Sequence, residues 1–377
     1  MSGVPPGPPR VLSLVWNLMR GGTEGQCARV AMGLAARGRT HRLAVFRREG
    51  FFLEAVEAGC GSVLTFDLRG RFHWTAWTAP RALARLLREA RIDLLHAWDM
   101  DACLFGAAAA AQAGLPLVTS RRDLGQIYPA WKLRRLAAVE RRAAAVVVNA
   151  EAVAEVARAA GVPAARLRLL PNLLDLEEFD RLAADPPPPG WPAPRPGITR
   201  LVLVARLDPE KDAGFLLQAV RVLSARRNDF EVLLAGDGSE RPALEEAARG
   251  LEGIVHFLGE VRAVPALLRT AQIGVLVPRA NEGLSNTLLE YMAAGLPSVV
   301  TDCGGNRECV AEGETGFRVR SGDVAALAAA LERLLEDAPR RAAFGAEARR
   351  RVAARHGREA VLDRFDAFYT EVVRGLA

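Results

Sequence analysis

Seven of the thirteen residues in DPPPPGWPAPRPG, positions 185–197, are proline. A segment like this cannot belong to a helix or a central strand, and it behaves as a semi-rigid spacer. It therefore cuts the 377-residue chain near its middle, and a chain of that length exceeds one ordinary hydrophobic core. On both sides of the cut the same rhythm recurs: a short Val/Ile/Leu run, a Gly or polar loop, then a longer helical pattern. Before it the apolar runs are RVLSLVW, HRLAVF, SVLTFDL, IDLLHAW, LPLVTS, AAVVVNA and RLRLLP; after it, RLVLVAR, FEVLLAG, IVHFLG, IGVLVP, PSVVTD and GFRVR. Runs that are apolar throughout suit strands covered on both faces, and alternation with helices implies parallel sheets.

The expected architecture is thus α/β, with two Rossmann-like doubly wound domains. The boundaries read from the sequence are 1–184, a linker over 185–197, 198–355, and a last helix over 356–377 that can cross back onto the first domain. Ligands of such sheets bind beyond the carboxyl ends of the strands, so the natural site is the cleft where two sets of strand ends face each other.

Other classes are set aside by composition. No apolar run approaches the ~20 residues a membrane-spanning helix needs, and the Pro-rich start MSGVPPGPPR lacks the apolar core of a secretory signal. The five cysteines are scattered and never form C-x-x-C, which points to reduced thiols and a cytoplasmic location. Residues 1–180 carry 24 Lys and Arg against 17 Asp and Glu, the remainder 26 against 27. Two basic stretches stand out in that first half, WKLRRLAAVERR (131–142) and RGRFHWTAW (69–77). A basic face backed by Trp and Leu can lie on an anionic membrane, or it can be the solvated side of a soluble helix. No basic stretch belongs to a recognisable nucleic-acid module. Only two of the fifty basic residues are lysines, Lys132 and Lys211. In so Arg-biased a chain a retained lysine hints at a site where the planar guanidinium does not fit.

Several loops carry candidate chemistry. Gly21, Gly22 and Gly25 lie between the first strand and its helix, where glycine permits close backbone approach and a helix start offers N–H groups to an anion. The spacing matches neither G-x-G-x-x-G nor a P-loop. Arg206 follows a strand and Lys211 comes five residues later, a cation pair suited to a departing diphosphate; Asp208 and Glu210 could instead neutralise it as a surface network. Turn chemistry alone accounts for the glycines of AGDG (235–238). In NEGLSNTLLEYMAAGLP (281–297), Ser285 or Asn286 is the expected N-cap, and Gly295 and Pro297 close a helix of about three turns. Backbone amides near Leu284, Ser285 and Asn286 could meet phosphate, Glu290 a ribose diol, and Glu282 another part of the same ligand. One ligand spanning both acids would be a nucleotide sugar. Asp99-Met-Asp101 spells D-x-D, but nothing else fits the metal-dependent fold that uses it.

EGLSNTLLE (282–290) resembles the E-x7-E motif of the retaining glycosyltransferases of family 4, which have the GT-B fold. RGGTE (20–24), HAW (96–98), LPN (170–172), ARLDPEK (205–211), AGDG (235–238), GLP (295–297), GGNRE (304–308) and ETGF (314–317) resemble that family's other motifs, in order. The resemblance implies that Glu290 binds the ribose, Arg206 and Lys211 the diphosphate, and Glu282 and His96 the transferred sugar. It also brings Gly22 to the diphosphate and the backbone at Val261 to the base. Leu173 replaces the glycine usual after P-N, and Arg307 a common proline. Without the resemblance, His96 also reads as an ordinary structural histidine.

The implied activity is hexosyl transfer, with retention, from a nucleotide-diphosphate sugar (UDP-linked as first guess) to a glycan or lipid-linked acceptor of a surface polysaccharide or glycolipid. Neither cofactor nor metal is expected. Peripheral contact with the inner face of the plasma membrane goes with a lipid-linked acceptor. Two alternatives remain: a sugar-nucleotide epimerase or phosphorylase on the same fold, and a non-catalytic glycan- or nucleotide-binding protein.

Overall fold

A computed structural model describes residues 7–66, 75–188 and 190–375, without side chains for 75–77. The chain divides into two units, the first formed by Met1–Leu173 with Arg358–Ala377 and the second by Leu174–Gly357.

The first unit holds β1 (Val11–Val15), β2 (His41–Val45), β3 (Leu64–Thr65), β4 (Leu94–Ala97), β5 (Leu117–Arg121), β6 (Ala145–Val148) and β7 (Leu167–Leu169). They form one sheet in the order β3-β2-β1-β4-β5-β6-β7, and each neighbouring pair is parallel. Every residue of β1, β4 and β6 is buried, as expected of strands covered on both faces. One face packs on the helices Gly22–Ala36 and Arg358–Val373, through Val30, Leu34, Leu362 and Phe365 among others. The other packs on Thr75–Glu89 and Met100–Ala113, through Leu83, Leu87 and Cys103.

The second unit holds β8 (Thr199–Val204), β9 (Phe230–Ala235), β10 (Val255–Gly259), β11 (Ile273–Leu276), β12 (Ser298–Thr301) and β13 (Gly316–Val319), in the order β10-β9-β8-β11-β12-β13, again parallel throughout. Every apolar run identified in the sequence supplies one of these thirteen strands. In both sheets the order reverses direction once, between β1 and β4 and between β8 and β11. Such switch points open a crevice at the carboxyl ends of the two strands, where doubly wound sheets take their ligands.

The domain boundary differs from the expected one. The chain passes to the second unit at Leu173/Leu174, ahead of the prolines, because the helix Leu176–Ala183 packs on the helices Val264–Leu268 and Asn286–Ala293. The Pro-rich stretch is also tied to that unit. Arg200 donates to the Pro192 carbonyl at 2.6 Å, and Arg195 donates to Glu231 at 2.8 Å. The last helix starts at Arg358 and belongs to the first unit. The basic aromatic stretch 69–77 lies outside the described residues and side chains.

Candidate active site

The second unit's switch point is built on a buried tyrosine. Only Ile273 and Gly274 of β11 register with β8, opposite Leu201 and Val202. Beyond them the Tyr291 hydroxyl bridges the strands, accepting from Val204 N–H at 2.8 Å and donating to the Val275 carbonyl at 3.2 Å. Tyr291 is wholly buried, and its ring packs against Gly274 so closely that a Cβ there would lie 2.4 Å away. The helix Asn286–Ala293, which carries Glu290, is thereby pinned across both strands. Ser285 occupies its N-cap with extended backbone, although its side chain makes no cap bond.

The loops that leave β8 and β11 interlock above this point. Lys211 Nζ donates to Glu282 Oε2 at 2.6 Å, with the two side chains 23% and 10% exposed. Arg279 N–H donates to the Glu210 carbonyl at 2.9 Å, and its Nε reaches Asp212 at 3.1 Å. From β12, Gly304 approaches the same loop at φ +51°, and a Cβ there would fall 1.7 Å from the Glu282 carbonyl oxygen. Glycine is required at that point. The turn after β9 supports the other side: a Cβ on Gly236 would meet the Ala205 carbonyl at 1.8 Å. Asp208 accepts from both the backbone and the hydroxyl of Ser239 at 3.1 Å. Those bonds, the backbone one foremost, hold its carboxyl below the ordinary range.

Lys211 and Glu282, each singled out in the sequence, are thus brought to one point by the fold. Arg206 lies in the same loop as Lys211, but its guanidinium is 68% exposed and bridges Asp208 and Glu210, each at 2.6 Å. To grip a diphosphate it must exchange those carboxylates for phosphate oxygens. Leu284 and Ser285 are buried in the β11 loop. Val261 stands apart at the sheet's edge, in the loop after β10.

In the first unit the helix begins at Gly22 and takes in Gly25, so of the three glycines expected in the loop only Gly21, its N-cap, precedes it. The Glu24 carboxylate folds over the loop, where a Cβ on Gly21 would lie 2.0 Å from Oε2. His96 departs from its expected place. It is fully buried in β4, with Nδ1 bonded to the Tyr369 hydroxyl at 2.8 Å and Nε2 to Ser120 Oγ at 2.9 Å. Burial holds it well below the usual imidazole range, aided by His41 and Arg122. A ring enclosed in this way cannot touch a sugar, so the structural reading of His96 holds. The buried polar row continues through Ser13, which accepts from Trp98 Nε1 at 2.9 Å and bonds His41 Nε2 at 2.8 Å.

The D-x-D pair is built into the fold. Asp99 caps the helix Met100–Ala113 and also accepts from Trp16 N–H at 2.6 Å; burial raises its carboxyl to about 6. Asp101 pairs with Lys132 at 3.0 Å. Lys132 is therefore buried beneath the helix Ala130–Glu140, whose exposed side carries Trp131, Arg134 and Arg135. Sequence reasoning missed Tyr291, signalled only by a phenol next to Glu290 in the helical stretch NTLLEYMA. It also missed Arg122, hidden as the second arginine of a pair.

Two family models match the chain. One, described as Glycosyltransferase Family 4, covers residues 20–178; the other, Glycosyl transferases group 1, covers residues 198–337. The chain belongs to glycosyltransferase family 4. Phosphatidyl-myo-inositol mannosyltransferase of Mycolicibacterium smegmatis is 36% identical over 185 residues, 48% of this chain and 46% of that protein. Alpha-D-kanosaminyltransferase of Streptomyces kanamyceticus is 30% identical over 176 residues, 46% of this chain and 45% of the relative. The chain thus spans about half the length of the curated relatives it matches. Anabaena HepE, crystallised with UDP, superposes with a TM-score of 0.83 at 22% identity, over 96% of this chain and 100% of HepE. Sucrose-phosphate synthase from Thermosynechococcus elongatus gives 0.79 at 19% identity, over 97% and 99%. The fold is GT-B.

Proposed function

We propose that this family 4 chain is a retaining glycosyltransferase that moves a hexose-type sugar from a nucleotide-diphosphate sugar to a glycan or lipid-linked acceptor. The observation that carries the reading is the Lys211–Glu282 pair at the second sheet's switch point, with Glu290 on the adjoining helix. Lys211 and Arg206 supply positive charge where a diphosphate leaves, the kind of aimed donor that contributes most to such transfers. Glu282 holds the ammonium in place and accepts from sugar hydroxyls; Glu290 accepts from the ribose diol. The acceptor hydroxyl attacks the anomeric carbon on the side from which the diphosphate departs. The new C–O bond replaces the bond to phosphate, and the hydroxyl proton passes to the departing phosphate oxygen.

With two cations in these roles, no divalent ion is needed. A sugar-nucleotide epimerase or phosphorylase would turn over donor without a glycosyl acceptor, so dependence on acceptor separates it from transfer. A non-catalytic binding protein would keep the diphosphate and show no turnover. The lipid-linked acceptor is favoured by the phosphatidyl-myo-inositol in the mannosyltransferase's name and by exposed Trp131 beside Arg134 and Arg135. Among the described residues no helix is long and apolar enough to cross a membrane, and contact through this face would be peripheral, at the inner face of the plasma membrane. UDP is the first nucleotide to try because HepE was crystallised with it.

The test is isothermal titration of UDP, GDP and ADP, without metal, against the full chain and against Glu290→Ala. One diphosphate should bind, with affinity reduced ten-fold or more (about 1.4 kcal/mol) by the substitution. Failure of all three to bind would remove the donor site.

A further inference from the structure

Arg122 follows β5 directly, on the carboxyl-end rim of the first sheet. Its neighbour Arg121 points into the fold and pairs with fully buried Glu140 at 3.0 Å. Arg122 has no such counter-ion: among the described residues no carboxylate oxygen lies within the 4.0 Å of an ion pair. Its guanidinium instead lies over the Trp98 ring, 5.3 Å from the centroid, and Nη2 donates to the amide oxygen of Asn172, itself 2% exposed. The remaining N–H groups of the fork have no partner among the described residues.

Removing a guanidinium from water without a counter-ion is costly. Here burial lowers its pKa to about 10, with the Glu24 carboxylate among the groups that offset the effect. Glu24 is the carboxylate folded over Gly21, and burial in turn raises it, with Arg122 pulling it down. The first unit therefore holds a partly buried fork over Trp98, without a counter-ion, and the Glu24 carboxylate over Gly21 is too distant to pair with it. This arrangement suits a bidentate oxyanion arriving from outside.

We propose that Arg122, oriented by Trp98 and Asn172, binds an anionic oxygen group, phosphoryl or carboxylate, of a substrate. Its source can be the donor's diphosphate or an acidic acceptor, a distinction that rests on the transferase reading above. Arg122→Gln retains a donor for Asn172 and loses the charge; Arg122→Lys keeps the charge and loses the fork.

The experiment titrates inorganic phosphate into the full chain and both variants, first alone and then with the protein saturated by whichever nucleoside diphosphate binds. Arg122→Gln should weaken phosphate binding at least ten-fold, with Arg122→Lys intermediate. If Arg122→Gln also weakens the nucleoside diphosphate, the anion is the donor's. If it weakens only the phosphate bound by the saturated protein, the anion is the acceptor's. Undetectable phosphate binding at millimolar concentration, or equal binding by wild type and Arg122→Gln, overturns the proposal. Should Arg122→Gln fail to fold, Arg122→Lys decides in the same way. If no nucleoside diphosphate binds, the transferase reading fails while the phosphate titration still judges Arg122.

Discussion

Lys211 Nζ lies 2.6 Å from Glu282 Oε2, joining the loop after β8 to the loop after β11 where their strands part. On the proposed reading, the pair should divide binding from turnover. Lys211→Ala should weaken the nucleoside diphosphate by ten-fold or more, about 1.4 kcal/mol. Glu282→Gln, which still accepts from the ammonium, should leave that affinity nearly unchanged while slowing consumption of the sugar nucleotide by about 10²–10³-fold. Titration calorimetry and a donor-consumption assay read the two effects separately. Equal losses of affinity in both variants would contradict the division.

Tyr291→Phe removes the hydroxyl that joins Val204 to Val275 and leaves a buried N–H and carbonyl without that partner. The expected cost is about 1–3 kcal/mol, seen as a lower urea midpoint with unchanged slope. An unchanged midpoint would mean that the splayed strands close on each other without the phenol.

Gly304→Ala sets a methyl against the Glu282 carbonyl at a left-handed φ that alanine tolerates poorly. The Glu282 segment must shift, at a cost above about 1 kcal/mol. Nucleoside diphosphate affinity should fall along with the melting temperature. Wild-type affinity in a folded Gly304→Ala protein would show that the loop moves freely.

Acid should destabilise the first unit through its buried histidines. Burial lowers His41 to about 3, and His96 also lies well below its usual value. Between about pH 6.5 and 3 the unfolded chain binds the protons that these rings refuse, so stability falls as pH falls, by at most about 1.4 kcal/mol per unit for each ring. Asp99, raised to about 6, acts oppositely below that pH, since its folded form takes up a proton first. His41→Gln, which keeps a donor toward Ser13, should flatten the dependence between pH 7 and 5. Urea denaturation across that range checks it; an identical slope in the variant would show that His41 does not titrate on unfolding.

The strands were legible because uniformly apolar runs of this length are hard to accommodate except in covered parallel sheets. The loop glycines were legible for a related reason, since a residue without Cβ beside a strand end marks close backbone approach. Lys211 and Glu282, 71 residues apart, could be read as functional but not as partners, because their meeting depends on β8 and β11 being neighbours. His96 misled because a histidine at a strand end looks alike whether its ring points outward or inward; Tyr369, 273 residues away, decides that. The prolines misled about the boundary because composition shows stiffness, while the contacts of Arg195 and Arg200 determine which body the stiff segment joins. Arg122 went unread because burial without a counter-ion has no signature in one dimension.

The chain leaves the first unit after Leu173 and re-enters it at Arg358, and these two crossings have a practical consequence. Leu174 N–H donates to the His356 carbonyl at 2.8 Å, so the second unit begins and ends at one spot. A gene fragment encoding 174–357 would specify that unit as an uninterrupted polypeptide with adjoining ends. The first unit has no such fragment. A stop codon after Gly357 would leave its open reading frame almost whole, yet it would remove Phe365, Phe368 and Tyr369 from beneath the first sheet and deprive His96 of its partner.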